Sequence, residues 1–301
     1  MGKLKVIPPL AITEAMLVST TVPETDYAAW NSGTTYALGD RVIRTATHKV
    51  YESAQAANTN HTPETSPEWW LEVGATNRWS MFDGSVSRAT AQATSISVTL
   101  RPGVAVSALA AINLAGCTAV RVRVQDATYG TLYDVTTPLS PIMGESSWWS
   151  WFFGRRRART QLIVADLPHI PSADILVDFT GGADLAVGVL MIGQRLDLGF
   201  SVRPGARLGL QDYSRKETND FGDTVLVRRA YARRAEFEVL ILRAEVDPAL
   251  DLLAELRATP CLWIASDSYE AATVYGFYKG GDVLIAYRNH SVLSIDIEGL
   301  T

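Results

Sequence analysis

Alternation with a period of two runs through most of this chain, and it restricts the fold more than any other feature. In Ser95–Leu100, Ile96, Val98 and Leu100 share one side. In residues 119–124, Val120, Val122 and Val124 face one way while Arg121 and Arg123 face the other. Successive side chains of a strand point to opposite faces, so each run predicts a half-buried strand. Residues 175–179 and 186–192 add two more, and Gly, Pro, Asp and Thr separate them at the spacing of a β-sandwich. In the last third, 224–229 and 235–242 flank a basic connection, and Phe237, Val239 and Ile241 share a face. Strands follow at 261–265, 272–278, 282–287 and 292–297, with Lys279, Gly280, Gly281 and Asp282 expected to close a hairpin. Only one segment has a full helical stripe. Asp247 as N-cap, Pro248 at the first position, Leu250, Leu253, Ala254 and Leu256 on one face, and Pro260 as stop predict a helix over 247–258. Shorter helical turns are expected at 13–17 and 106–111. The expected class is mainly β: a small aromatic-rich β module, a β-sandwich, and a C-terminal β-sandwich or barrel with one helix.

Length and composition bound the function. The 301 residues suggest two or three domains. The pattern divides them into an extended arm (1–26), a small module (27–75), a sandwich (76–193) and a C-terminal domain (194–301). A net charge of −5 speaks against nucleic acid as a partner, because neutralising phosphates takes surplus Lys and Arg. Two cysteines and four histidines are too few for a disulfide framework or a structural zinc site. Lys3, Lys5, Val6, Ile7 and Leu10 begin like a secretory signal, but Pro8, Pro9 and Glu14 interrupt the apolar core. No apolar run is long enough to predict a membrane span. No Gly-x-Ser-x-Gly elbow occurs, and neither Cys117 nor Cys261 has a neighbouring His. Asp83, Asp126, Asp134, Asp174, Asp178 and Asp184 lie in the sandwich without a catalytic context, and read as turn or solvated carboxylates. Asp174, Asp178 and Asp184 near Gly181 and Gly182 leave a calcium loop as the lesser reading. The expectation is no enzyme, no cofactor and no resident metal.

The aromatic residues are unevenly placed. Trp30, Tyr36, the run Gly39, Asp40, Arg41 and Val42, then Tyr51, a Pro-containing loop, and Trp70, Leu71, Glu72 and Val73 follow one another in order. This segment resembles the small chitin-binding module of carbohydrate-binding families 5 and 12. The resemblance implies sugar stacking, with Trp30, Tyr36, Tyr51, Trp69 and Trp70 as candidate contacts. Residues 53–58, where such modules carry exposed aromatics, have none here. Trp30, Tyr36, Tyr51 and Trp70 then read as core, with Trp69 as the remaining platform. The arm from Ile12 to Leu17, ending in Thr21, Val22, Pro23 and Glu24, resembles tail proteins of tailed bacteriophages. So do the stretches 77–84, 212–218, 257–264 and 274–278. Residues 77–193 also resemble a galactose-binding-like jelly-roll, through Phe82, Asp83 and Gly84 and through Leu190, Met191, Ile192 and Gly193.

One loop stands apart. Trp148, Trp149, Trp151, Phe152 and Phe153 precede Arg155, Arg156, Arg157 and Arg159. Such a mixture suits a protein interface first, a membrane or cell surface second, and nucleic-acid stacking third. The interface residues expected here are Trp148, Trp149, Trp151, Phe152, Phe153, Arg155, Arg156 and Arg157. A second basic group, Arg228, Arg229, Arg233 and Arg234, reads as a solvated or inter-subunit face balanced by Glu236, Glu238 and Glu245. Together these resemblances imply a structural protein of a phage tail tip or baseplate, of the distal-tail type, forming a ring between tail tube and hub. The implied partners are the tube, the hub and neighbouring copies, as a hexamer or trimer. The implied location is the virion, after synthesis in the bacterial cytoplasm. The alternative is a receptor-binding protein that contacts a host cell-surface glycan.

Overall fold

The computed structural model describes residues 2–139, 158–218, 224–266, 269–285 and 287–300. They form a mainly β protein of the sandwich type, with several antiparallel sheets and, among the described residues, one α-helix. The chain divides into two compact units that interleave along the sequence. One takes Met1–Leu10, Val106–Ala108 and Ile192–Thr301; the other takes Ala11–Ala105 and Leu109–Met191.

An eight-stranded sheet forms the first unit. The start of the arm is one of its strands: Leu4–Ile7 lies between Leu196–Leu198 and Cys261–Ile264. Leu4, Val6 and Ile7 are fully buried. The sheet continues through Thr273–Leu284, His290–Gly299 and Tyr231–Leu242, and both Ser201–Val202 and Arg207–Asp212 pair with the last of these. As the alternation requires, Phe237, Val239 and Ile241 turn inward, to a core shared with Trp263, Leu293 and Ile295 and with Ala249, Leu253 and Leu256 of the helix.

Two expectations are corrected in this unit. The helix is Val246–Glu255, capped by Glu245 rather than Asp247, and Pro248 lies inside its first turn. The Glu245 carboxylate accepts from the Leu242 N–H at 3.0 Å. Lys279 to Asp282 do not close a hairpin. Thr273–Leu284 runs through them as one strand, with a register shift between Tyr278 and Gly280. The partner strand pairs with both halves, so one bulged residue preserves the ladder. That bulge places the Lys279 ammonium against Glu298.

The second unit holds a seven-stranded sheet and the small module. Its two longest strands, Ala108–Asp126 and Asp174–Gly193, change partners midway. The first pairs with Gln161–Val164 and then with Gly130–Pro138. The second pairs with Ser95–Leu100 and then with Thr90–Ala91. The runs 175–179 and 186–192 are therefore one strand. The change of partner follows from a shared bend. Gly116 has φ of +61°, and a Cβ there would lie 2.5 Å from the Asp184 carbonyl oxygen; a Cβ on Gly181 would lie 2.3 Å from the Gly116 oxygen. Only glycine allows both backbones to bend in contact. The helical turn expected at 106–111 is a strand from Ala108 onward, because burial of Ala108, Leu109, Ala110 and Ala111 outweighs alanine's helical preference. The turn expected at 13–17 is the 3-10 segment Glu14–Met16, followed by the strand Leu17–Thr20.

Candidate functional site

In the small module, Arg41–Arg44, Lys49–Ser53 and Trp70–Ala75 form a three-stranded sheet, and Thr35–Tyr36 pairs with Asn58–Thr59. Tyr36, Val42, Tyr51 and Trp70 are its buried core. Tyr36 meets Trp70 edge-on at 5.2 Å, and the Trp70 indole N–H donates to the His61 carbonyl at 2.8 Å. Tyr36, Tyr51 and Trp70 are thus corrected as sugar contacts: all three rings are buried in the core of the module. Trp30 and Trp69 are partly buried against this core. Arg44 stands 5.0 Å above the Trp30 ring, and His61 stacks on Trp69 at 3.9 Å. Trp69 and His61 form a stacked pair, each half-buried.

The basic connection of the last third is part of a long two-stranded ribbon. Arg207–Asp212 pairs with residues of Tyr231–Leu242, and Arg215–Thr218 pairs with Thr224–Val227. The Tyr213 N–H to Ala230 oxygen bond (3.2 Å) and the Arg229 N–H to Ser214 Oγ bond (3.1 Å) bridge the two stretches. Asp212 holds the kink by accepting from the backbone and hydroxyl of Ser214 at 2.8 and 2.6 Å. Beyond the kink both faces are open. Lys216 opposes Leu226 on one, and Glu217 opposes Val225 on the other. Leu210 is 71% exposed and Leu226 75%, with Leu208, Tyr213, Val225, Val227 and Tyr231 also exposed. Arg234 pairs with Asp296 and Glu236, while Glu238 pairs with Arg203. Glu245 serves the Leu242 N–H instead of an arginine. Among the described residues Arg228, Arg229 and Arg233 have no carboxylate within salt-bridge distance.

No family model, curated protein or solved structure matches the chain. The site must therefore be read from its own chemistry.

Trp148, Trp149, Trp151, Phe152, Phe153, Arg155, Arg156 and Arg157 lie outside the described residues. Four of the sandwich carboxylates have structural partners. Asp174 is held by Arg101, Asp178 by Arg123 and Asp134 by Arg121, each at 2.6–2.8 Å. The Arg121 guanidinium holds the Asp134 carboxyl below the usual range. Asp126 accepts from Ser172 and from the backbone of Thr128 and Tyr129, which lowers its pKa as well. No three metal-ligating carboxylates, histidines or cysteines converge among the described residues. Burial pushes the Cys261 thiol up to about 12 and raises that of Cys117, so both remain thiols at neutral pH.

One cluster has no local sequence signature. Glu14, Glu24, His48, Arg78 and Trp79 line a cleft of about 480 Å³ together with Ser19, Thr20 and Thr45. His48 stacks on Trp79 at 4.1 Å, and its Nδ1 lies 3.0 Å from the buried Glu24 carboxylate. Its residues are scattered over 14–79, so no spacing motif joins them. The one local hint, a His at a tight turn, is common in loops.

Proposed function

We propose that the chain is a non-enzymatic structural component of a bacteriophage tail tip or baseplate, a distal-tail-type adaptor that assembles with neighbouring copies and joins the tail tube to the hub. The ribbon formed by residues 207–218 and 224–236 supports this reading. A two-stranded ribbon is marginal in water by itself. One that exposes Leu210, Val225 and Leu226 beside Arg229 and Arg233, which have no salt-bridge carboxylate among the described residues, has the composition of an interface awaiting its partner. Ring assembly uses such a heterologous surface on every copy, and the aromatic and arginine residues of 148–157 are a second contact in the same reading. The test is the mass of the purified chain by light scattering, with particles viewed by electron microscopy. Closed rings of six copies, dispersed by Leu210→Asp with Leu226→Asp, are the expected result. A wild-type chain that stays monomeric at about 100 μM, alone and with tube protein, counts against it.

A second reading, contact with a host glycan, is favoured by the Trp69–His61 pair alone. Retention of the full chain on insoluble polysaccharide, lost in Trp69→Ala, would support it. Retention that survives that substitution, or none at all, would remove it.

A further inference from the structure

We propose that His48 and Glu14 form a binding site for a divalent transition-metal cation of the zinc or cobalt kind, with Glu24 as the residue that positions His48. The Nδ1 of His48 faces both oxygens of Glu24, at 3.0 and 3.3 Å. Nδ1–H donates there, and in the neutral ring that leaves the lone pair on Nε2. That nitrogen is buried and has no hydrogen-bond partner. An imidazole held by a carboxylate through one nitrogen and bare at the other is the arrangement in which metal-binding histidines are oriented. Beyond Nε2, at 4.0 Å, lies Oε2 of Glu14. This gap is too wide for a hydrogen bond. A cation bound at about 2.0–2.2 Å by each atom bridges it, provided the exposed Glu14 side chain swings slightly to bend the angle.

The surroundings fit this use. Glu24 is fixed by the Thr76 hydroxyl at 2.9 Å, and Arg78, 3.8 Å away, offsets its charge. Glu14 is 79% exposed and its charge is free to meet a cation. The Trp79 ring, 19° from parallel, fixes the imidazole plane. The protein supplies two donors, since Glu24 is engaged by Nδ1. Nε2 is closed to solvent, so the swing of Glu14 must also open its approach from the hydroxyl-lined cleft, where waters complete the coordination. Imidazole with carboxylate favours zinc, cobalt or nickel over magnesium or calcium. Bound metal would tie the Glu14–Met16 turn to the turn at His48.

The experiment is calorimetric titration of the full chain with zinc chloride at neutral pH, with cobalt absorbance and thermal melts alongside. One equivalent of zinc is expected, with a rise in Tm that magnesium does not reproduce. His48→Asn keeps the turn, because φ at this position is 55° and Asn tolerates the left-handed region. It is expected to weaken zinc binding at least about tenfold, and to lower the metal-free Tm because the Trp79 stack and the Glu24 contact go with the ring; Glu14→Gln, at an exposed position, is expected to weaken zinc binding while leaving the metal-free Tm near wild type. Zinc binding of equal affinity in His48→Asn would assign the metal to another histidine and overturn the proposal. So would a wild-type chain that binds no zinc at about 1 mM.

Discussion

Trp70 and Trp69 are adjacent in sequence and opposite in consequence. Trp70 is 3% exposed, and its ring and indole N–H are both engaged. Replacing a buried Trp by Ala costs about 3–5 kcal/mol. Trp70→Ala is expected to unfold the small module in a denaturant titration, whereas Trp69→Ala, at a half-buried ring, costs less, about 1–2 kcal/mol. Glu298 gives a pH test. Its carboxylate accepts from Lys279 and from the Tyr213 hydroxyl, and both hold its pKa below the ordinary value. A carboxyl that is more acidic in the folded protein binds fewer protons there. Its contribution is present above the unfolded pKa of about 4.3 and is lost as pH falls through the lower, folded value. In urea titrations, wild type should exceed Glu298→Gln at pH 7, and the gap should close as the pH drops below about 4. A gap independent of pH would show that the ionised carboxylate is not the source. At this scale the sequence marked the core of the module, because ordered aromatics in a short segment have little else to pack against. It did not reveal His48 with Glu24, because that pair is joined by folding and not by spacing.

Strands were legible where one face is wet. Ile96, Val98 and Leu100, and likewise Val120, Val122 and Val124, are buried as their alternation predicts. Residues 108–111 lack that contrast: all four are apolar and buried, so period alone does not separate strand from helix. The two-glycine segments misled for a different reason. Gly181 lies at a bend and Gly280 beside a bulge, each within a continuous strand, and the residue composition of a bend resembles that of a turn. Gly116→Ala tests the bend. Its Cβ would press on the backbone at Asp184 and Leu185, so the expected loss is about 2–4 kcal/mol in thermal or chemical melts. The ribbon has the opposite profile. Leu226→Asp is exposed and should leave the monomer's circular dichroism and Tm unchanged while lowering the mass of any assembly. A fall in Tm without a change in mass would make the ribbon a folding element and not a contact.

At the scale of the whole chain, the division visible in sequence was contiguous, whereas the compact units are not. Composition has no means of showing that residues 4–7 pair with 196–198 and 262–264, since strand pairing at long range leaves no local trace. Deleting the first ten residues should therefore destabilise the C-terminal unit, read as faster proteolysis of residues 196–300, more than the unit built on Ala11–Ala105 and Leu109–Met191. Equal loss in both would contradict the division. The threaded first strand also orders events during synthesis. Residues 4–7 leave the ribosome long before both neighbours they need, at 196–198 and 262–264. The inserted unit has its full sequence outside the ribosome earlier and is free to close while that strand waits unpaired. Two exposed strand edges therefore coexist until residues 262–264 have been made. A pause or truncation in the last third would release a species folded in its middle and adhesive at its beginning.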